Sequence, residues 1–296
     1  MYKSLSPTAL GISGRQSELL EIALTHRFQG LEIDLADLVR KAQTSGVPAA
    51  CRYLTSAKLK IGPLELPVRW QGSDADFQAD LAALPLVLNV AAALAADRFV
   101  TPIRPTSEER PFHDNFKFAI ERLRLVAGLL AAREMQLGLS LRAAAAERAD
   151  GGYQFIYQVD PLLLLLSSVQ AENVGLEVDL WNWHVGGGDI EKLRQVPREQ
   201  IVSVRLADLP ADADLETIAA DQRLMPAEGG AVDNAQFVQL LVEKDYEGPV
   251  IVAPHPSQFL GQKREAIVTK VAAAFDTLWS AAGLPVDSAK PAPVGA

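Results

Sequence analysis

Short β-like runs alternate with longer helix-like runs from one end of this sequence to the other, and that alternation leaves few folds open. Strands joined by helical crossovers pair in parallel, with the helices covering the sheet. Strand candidates fall at about 3–11, 30–35, 59–64, 99–103, 136–141, 174–180, 201–206 and 250–253. Between the fourth and fifth, Phe116, Ala119, Ile120, Leu123, Val126, Ala127 and Leu130 recur at spacings of three and four, which predicts one apolar face of a helix. Units of this kind spread over 296 residues fit an α/β chain closed into a single barrel, for which ~250 residues suffice.

Composition narrows the function classes. A formal net charge of -9, with 28 Lys and Arg scattered along the chain, gives no basic stripe for a phosphate backbone, so nucleic acid is not an expected partner. Cys51 is the single cysteine, which rules out an intrachain disulfide and thiolate-rich zinc sites, suits a reducing compartment, and reads as a small buried residue. The start of the chain, Met1 to Pro7, lacks the apolar segment of a secretory signal. The longest nearly apolar stretch, 82–96, is short and carries Pro85 and Asn89. No membrane span and a cytoplasmic location are therefore expected. The acidic, Ala-rich 210–221 reads as a surface excursion. Beyond Gly283 the Pro- and Ala-rich 284–296 predict a flexible tail, leaving 1–283 as one domain.

Several segments resemble the xylose-isomerase-like family of sugar-phosphate isomerases and epimerases. Gly30-Leu31-Glu32-Ile33-Asp34 is similar to that family's second strand, and 105–116 to the loop and helix start after its fourth. The run 174–183, with Asp179, resembles the sixth strand and its metal-binding aspartate. Arg223 to Asp233 resembles the family's R-x-x-P-G-E-G-x-x-D stretch, with Ala227 at the first glycine, and 246–250 resembles the entry to the eighth strand. The resemblance implies a single (β/α)8 TIM barrel.

It also implies a chemistry. Active relatives hold a divalent cation at the C-terminal mouth through a glutamate, an aspartate, a histidine and a second glutamate, and the cation anchors sugar oxygens and stabilises an enediolate. Carried over residue by residue, Ser140 stands at the first glutamate, Asp179 keeps the aspartate, Arg205 stands at the histidine and Ala253 at the closing glutamate. Asn182 stands where many members have a further histidine. A guanidinium neither coordinates a cation nor deprotonates. No resident metal is therefore expected; the alternative is a Mn, Mg, Co or Zn ion near Asp179, with a relocated shell of Glu177, Asp179, His184 and Asp208.

Strand parity puts Glu177 and Asp179 on one inward face, Ser203 and Arg205 on another, and Gly138, Ser140 and Arg142 on a third. This leads to the expectation that Arg205, with Arg142, replaces the cation and pairs with Asp179. Two guanidinium forks at one mouth are also suited to a bidentate anion. Glu32, Asp179, Arg205 and Glu228 are the candidate catalytic residues, with Arg142, Trp181, His184, Asp208, Arg223 and His255 as candidate substrate contacts. The bland alternatives are ordinary ones: acids at strand ends enter loops, Trp181 and Trp183 fill cores as readily as they line sugar sites, and His113 at a helix start caps or is solvated.

The expected partner is a small carbohydrate or sugar phosphate, and a homo-oligomer is possible. The expectation is a sugar isomerase- or epimerase-like barrel that keeps its pocket and has lost the metal-dependent step, acting as a binding protein or pseudoenzyme. Its rival is a working isomerase or epimerase, metal-independent or with the relocated metal. The DNA-repair endonucleases of the same superfamily need a histidine-rich zinc cluster, whereas this chain has only His26, His113, His184 and His255.

Overall fold

The strands form where expected, several of them stop sooner, and the third is divided in two. In the computed structural model, which describes residues 1–149 and 152–286, they are β1 (Tyr2–Leu5), β2 (Gly30–Leu31), β3 (Lys60–Ile61), β4 (Leu64–Glu65), β5 (Arg98–Pro102), β6 (Thr106–Ser107), β7 (Gln136–Ser140), β8 (Tyr153–Gln154), β9 (Val174–Asp179), β10 (Ile201–Leu206) and β11 (Pro249–Val252). Pro7 has no N–H to continue a ladder, and the chain turns after Ser6, so β1 ends well short of residue 11. β2 stops early because Asp34 leaves the sheet to cap the helix Leu35–Ser45, its carboxylate accepting from the Asp37 N–H at 2.9 Å.

Nine of these segments form one sheet in the order β3-β2-β1-β11-β10-β9-β7-β5-β4, every pairing parallel. The two ends of that order are successive pieces of one strand, parted at Gly62-Pro63. Among the described residues β3 pairs only with β2 and β4 only with β5, so covalent chain closes the ring. This is a (β/α)8 barrel whose third strand is divided between two neighbours. β6 and β8 make a small antiparallel pair outside it.

β9 is buried at all six positions and β11 at all four, the burial of strands covered on both faces. The helix Phe112–Ala131 buries Ala119, Leu123, Val126, Ala127 and Leu130, the face its spacing predicts. The helix Asp74–Ala93 is long and apolar enough by composition to cross a membrane; here it lies in the outer layer with Phe77, Leu84, Val87 and Leu88 buried. Cys51 is buried on the helix Val47–Ser56, its Sγ 4.0 Å from the Val90 carbonyl oxygen.

Two expectations about loops are refined. The excursion 210–221 is largely exposed, as expected, but Ile218 in it is buried with Leu209, Ala144, Trp181 and Ala207 in a satellite core over the barrel mouth. Of the expected tail, Leu284 and Val286 pack on the main core, while residues 287–296 lie outside the described residues.

Candidate functional site

The C-terminal ends of the strands surround a cavity of about 400 Å³, the size at which single small ligands are held. Its wall begins with Glu177 on β9. Burial works against a charge there, but the Arg205 cation and hydrogen bonds from Ser140 and Arg205 outweigh it and hold the Glu177 carboxyl below its usual range. Arg205 Nε donates to Glu177 Oε1 at 2.7 Å, Ser140 Oγ to Oε2 at 2.7 Å and Ser203 Oγ to Oε1 at 3.2 Å.

Arg205 then spans the barrel. Its Nη2 donates to Glu32 Oε1 at 2.5 Å, and Ser6 Oγ donates to the other oxygen of Glu32. Burial raises the Glu32 pKa, and the approach of Arg205 and Ser6 offsets this only in part because Glu177 adds a repulsive charge. Burial alone would lower the Arg205 pKa, but Glu177 and Glu32 drive it upward, so the guanidinium is a fixed positive charge. Gly62 makes room for this arrangement: a Cβ there would lie 3.0 Å from Glu32 Cγ and 2.9 Å from Ser4 Oγ.

Asp179 belongs to a second pair. It caps the helix Leu180–Val185, Oδ1 accepting from the Asn182 N–H at 3.0 Å, and its Oδ2 accepts from Arg223 Nη2 at 2.6 Å. Burial opposes ionisation here too, and Arg223 overrides it, lowering the Asp179 pKa. Arg223 Nε also donates to the Ala253 carbonyl at 3.1 Å, and its guanidinium stands 5.4 Å from the Trp181 ring centroid.

The expected Arg205–Asp179 pair is therefore corrected. The two are register partners on β10 and β9, but the long arginine side chain reaches past its neighbour to Glu177 and Glu32, and Asp179 is met by Arg223 from the loop after β10. Nor does Arg142 join Arg205. It stands exposed at the cavity rim, 3.8 Å from Glu147.

Glu32, Asp179, Arg205, Arg142, Trp181, Arg223 and His255 all line the cavity, whereas Glu228, His184 and Asp208 do not. Glu228 is exposed over a separate depression with Met225 and Phe259. Asp208 is fully buried and acts as a latch. Its carboxylate accepts from the N–H groups of Leu209, Gly229, Gly230, Ala231 and Val232, at 2.7 to 3.2 Å, and its backbone bridges Leu224. That latch shapes the loop carrying Arg223. Trp181 is 1% exposed, so it backs Arg223 more than it offers a stacking face. Trp183 is core, its indole N–H donating to the Asp189 carbonyl at 3.0 Å. His113 lies exposed in the first turn of its helix, capping nothing. His255 Nδ1 lies 2.8 Å from Ser257 Oγ and accepts from the Ser257 N–H at 3.2 Å.

A first strand running over 3–11 hides Ser6 among strand residues, and the sequence carries no other signal for it. As the residue directly after β1, it sits where barrel strands deliver functional groups.

The divalent cation that the family resemblance implies does not fit these residues. At its four ligand positions stand Ser140, Asp179, Arg205 and Ala253, and both oxygens of Asp179 are engaged by Asn182 and Arg223. Among the described residues no three His, Cys, Asp or Glu side chains are grouped as metal ligands, the set around His184 and Asp208 included. A divalent ion ~4 Å from the Arg205 charge would meet about 8 kcal/mol of repulsion at an effective dielectric near 20.

Solved structures share the fold. A xylose isomerase domain protein from Alicyclobacillus acidocaldarius superposes with a TM-score of 0.85 at 24% identity, covering 96% of this chain and 99% of that one. The IOLI protein with a bound zinc atom gives 0.78 at 16%, covering 95% and 98%. The 3-keto-D-glucoside 4-epimerase from E. coli gives 0.62 at 15%, covering 88% and 92%. No curated protein matches the sequence. The family model described as xylose isomerase-like TIM barrel matches residues 17–277, and the chain belongs to that family.

Proposed function

We propose that this barrel binds a carbohydrate-sized, polyhydroxylated ligand at its mouth and has lost the metal-dependent isomerisation of its family, working as a binding protein or pseudoenzyme. The observation that carries this reading is Arg205, a permanent cation at a ligand position, bonded to Glu177 and Glu32. Arg205 and Arg223 are bonded to Glu32, Glu177 and Asp179, and Arg142, Glu65 and Glu147 also line the cavity, so the wall is rich in hydrogen-bonding groups and has a small excess of negative charge. Such a wall suits hydroxyls. The buried, single Cys51 agrees with a reducing, cytoplasmic setting.

Metal analysis of protein purified without chelator, paired with a thermal-shift screen of sugars, polyols and sugar phosphates, tests it. The expected result is a substoichiometric metal content together with stabilisation by at least one polyol. Near-stoichiometric manganese, zinc, cobalt or magnesium overturns it.

One observation favours a second reading, a metal-independent isomerase or epimerase. Glu32, a carboxyl whose burial raises its pKa toward the range useful for proton transfer, lines the cavity beside a guanidinium able to stabilise an enediolate oxygen. Glu32 would take the proton α to a carbonyl and return it. Incorporation of solvent deuterium into a sugar that stabilises the protein, lost in Glu32→Gln, distinguishes this from binding alone.

A further inference from the structure

The mouth cavity has a neighbour three times its volume. A groove of about 1310 Å³ runs beside the barrel between the loop after β1, the helix Leu35–Ser45 and the helix Asp74–Ala93. The two spaces share Thr8, Glu32, Ile33 and Glu65 as lining, so Glu32 stands at their junction. Pro63, which interrupts the third strand, lines the cavity, while Leu66 and Pro67 just beyond it line the groove.

The groove's chemistry differs from that of the mouth. Leu19, Ile33 and Val39 line it only partly buried, Ile12 and Val87 form its deeper wall, and Tyr53 stands over half exposed at 54%. Apolar surface left open beside a polar pocket marks a place where something apolar is held. Most charges along the rim are paired, Asp37 with Arg40 at 3.3 Å and with Lys41 at 2.5 Å, and Asp80 with Arg69 at 2.9 Å, while Arg15 stands exposed at the end beside the loop after β1. An anionic substituent finds no ready partner among these pairs.

We infer that the groove is a second subsite, holding a neutral alkyl or aryl substituent of a ligand whose hydroxylated ring occupies the mouth, so that the molecule bound is an apolar glycoside and not a free sugar. This rests on the carbohydrate-binding reading of the mouth. The wall shared at Glu32 and Ile33 sets the order of the parts: polar ring toward Arg205, substituent past Ile33 toward Val39 and Tyr53.

Calorimetric titration of the full chain with matched methyl and n-hexyl glycosides of glucose, galactose, mannose and xylose tests the inference. For the sugar that binds, the hexyl form should bind at least tenfold more tightly than the methyl form. Ala83→Trp, at an exposed groove position away from the mouth, should abolish that preference and leave the methyl glycoside's affinity unchanged. Val39→Arg should do the same, which guards against misfolding of either variant. Equal affinities of the two forms overturn the subsite and leave the mouth reading intact, as does a preference that survives both substitutions. Binding of hexyl glycosides independently of the sugar, sensitive to Ala83→Trp, supports the groove and overturns the mouth as a carbohydrate site. No binding of any compound overturns both.

Discussion

Arg205 and Glu32 lie 173 residues apart in sequence and 2.5 Å apart in space, joined across the interior of the barrel from β10 to the end of β2. With Glu177 on the other side of the guanidinium, the contact makes a buried acid–base–acid bridge at the C-terminal mouth of the barrel.

Arg205→Met should destabilise the fold by about 3–5 kcal/mol, because it leaves two buried carboxylates without their cation. Chemical denaturation at neutral pH measures the loss. A change under 1 kcal/mol would mean that the bridge contributes little.

The two carboxylates flanking Arg205 should respond differently. Glu177 ionises more readily in the fold than in the unfolded chain, so its contribution is present above the unfolded carboxyl pKa and falls away as pH drops through the lower folded value. Glu32 has the opposite sign: its folded pKa is raised, so its contribution is complete below the unfolded value and declines as pH rises through the folded one. Glu177→Gln should therefore cost more at pH 7 than Glu32→Gln, and Glu32→Gln should flatten the decline on the alkaline side of its window. Melting curves from pH 3 to 8 on both variants settle the order.

Asp208→Ala should release the loop from 223 to 232. Losing a carboxylate that serves five backbone N–H groups should cost about 2–4 kcal/mol. Hydrogen exchange should rise selectively at 229–232, and ligands of the mouth should weaken because Arg223 loses its support. Uniform exchange across the chain would indicate general loosening instead.

Restoring the family's ligands should restore an ion. The triple variant Ser140→Glu, Arg205→His, Ala253→Glu should copurify with or take up a first-row divalent metal, read by elemental analysis, while Arg205→His alone should not. Failure of the folded triple variant to bind manganese or zinc would show that the site has diverged beyond these positions.

The sequence makes the barrel legible because the signal repeats: β9 and β10 are apolar runs with sharp ends, and the face of the helix Phe112–Ala131 follows from its spacing. Parity along β9 and β10 likewise puts Glu177, Asp179 and Arg205 in the cavity. What parity does not contain is the reach of a long side chain. Arg205 has Asp179 as its register partner and bonds elsewhere, a choice made by the burial of Glu177 and by the arrival of Arg223. Arg223, in turn, is delivered by a loop whose path depends on Asp208 accepting N–H groups more than twenty residues ahead. Such contacts leave no periodic trace. Glu228 matched a family motif in one dimension, and its loop turns it outward.

The division of the third strand at Gly62-Pro63 gives the barrel a seam. Each half is hydrogen-bonded to a different neighbour, and no ladder crosses between them, so the staves on either side can spread there without breaking a single interstrand bond. The seam lies where cavity and groove adjoin. A slight widening there would thin the wall that the two spaces share while the other staves hold their pairing.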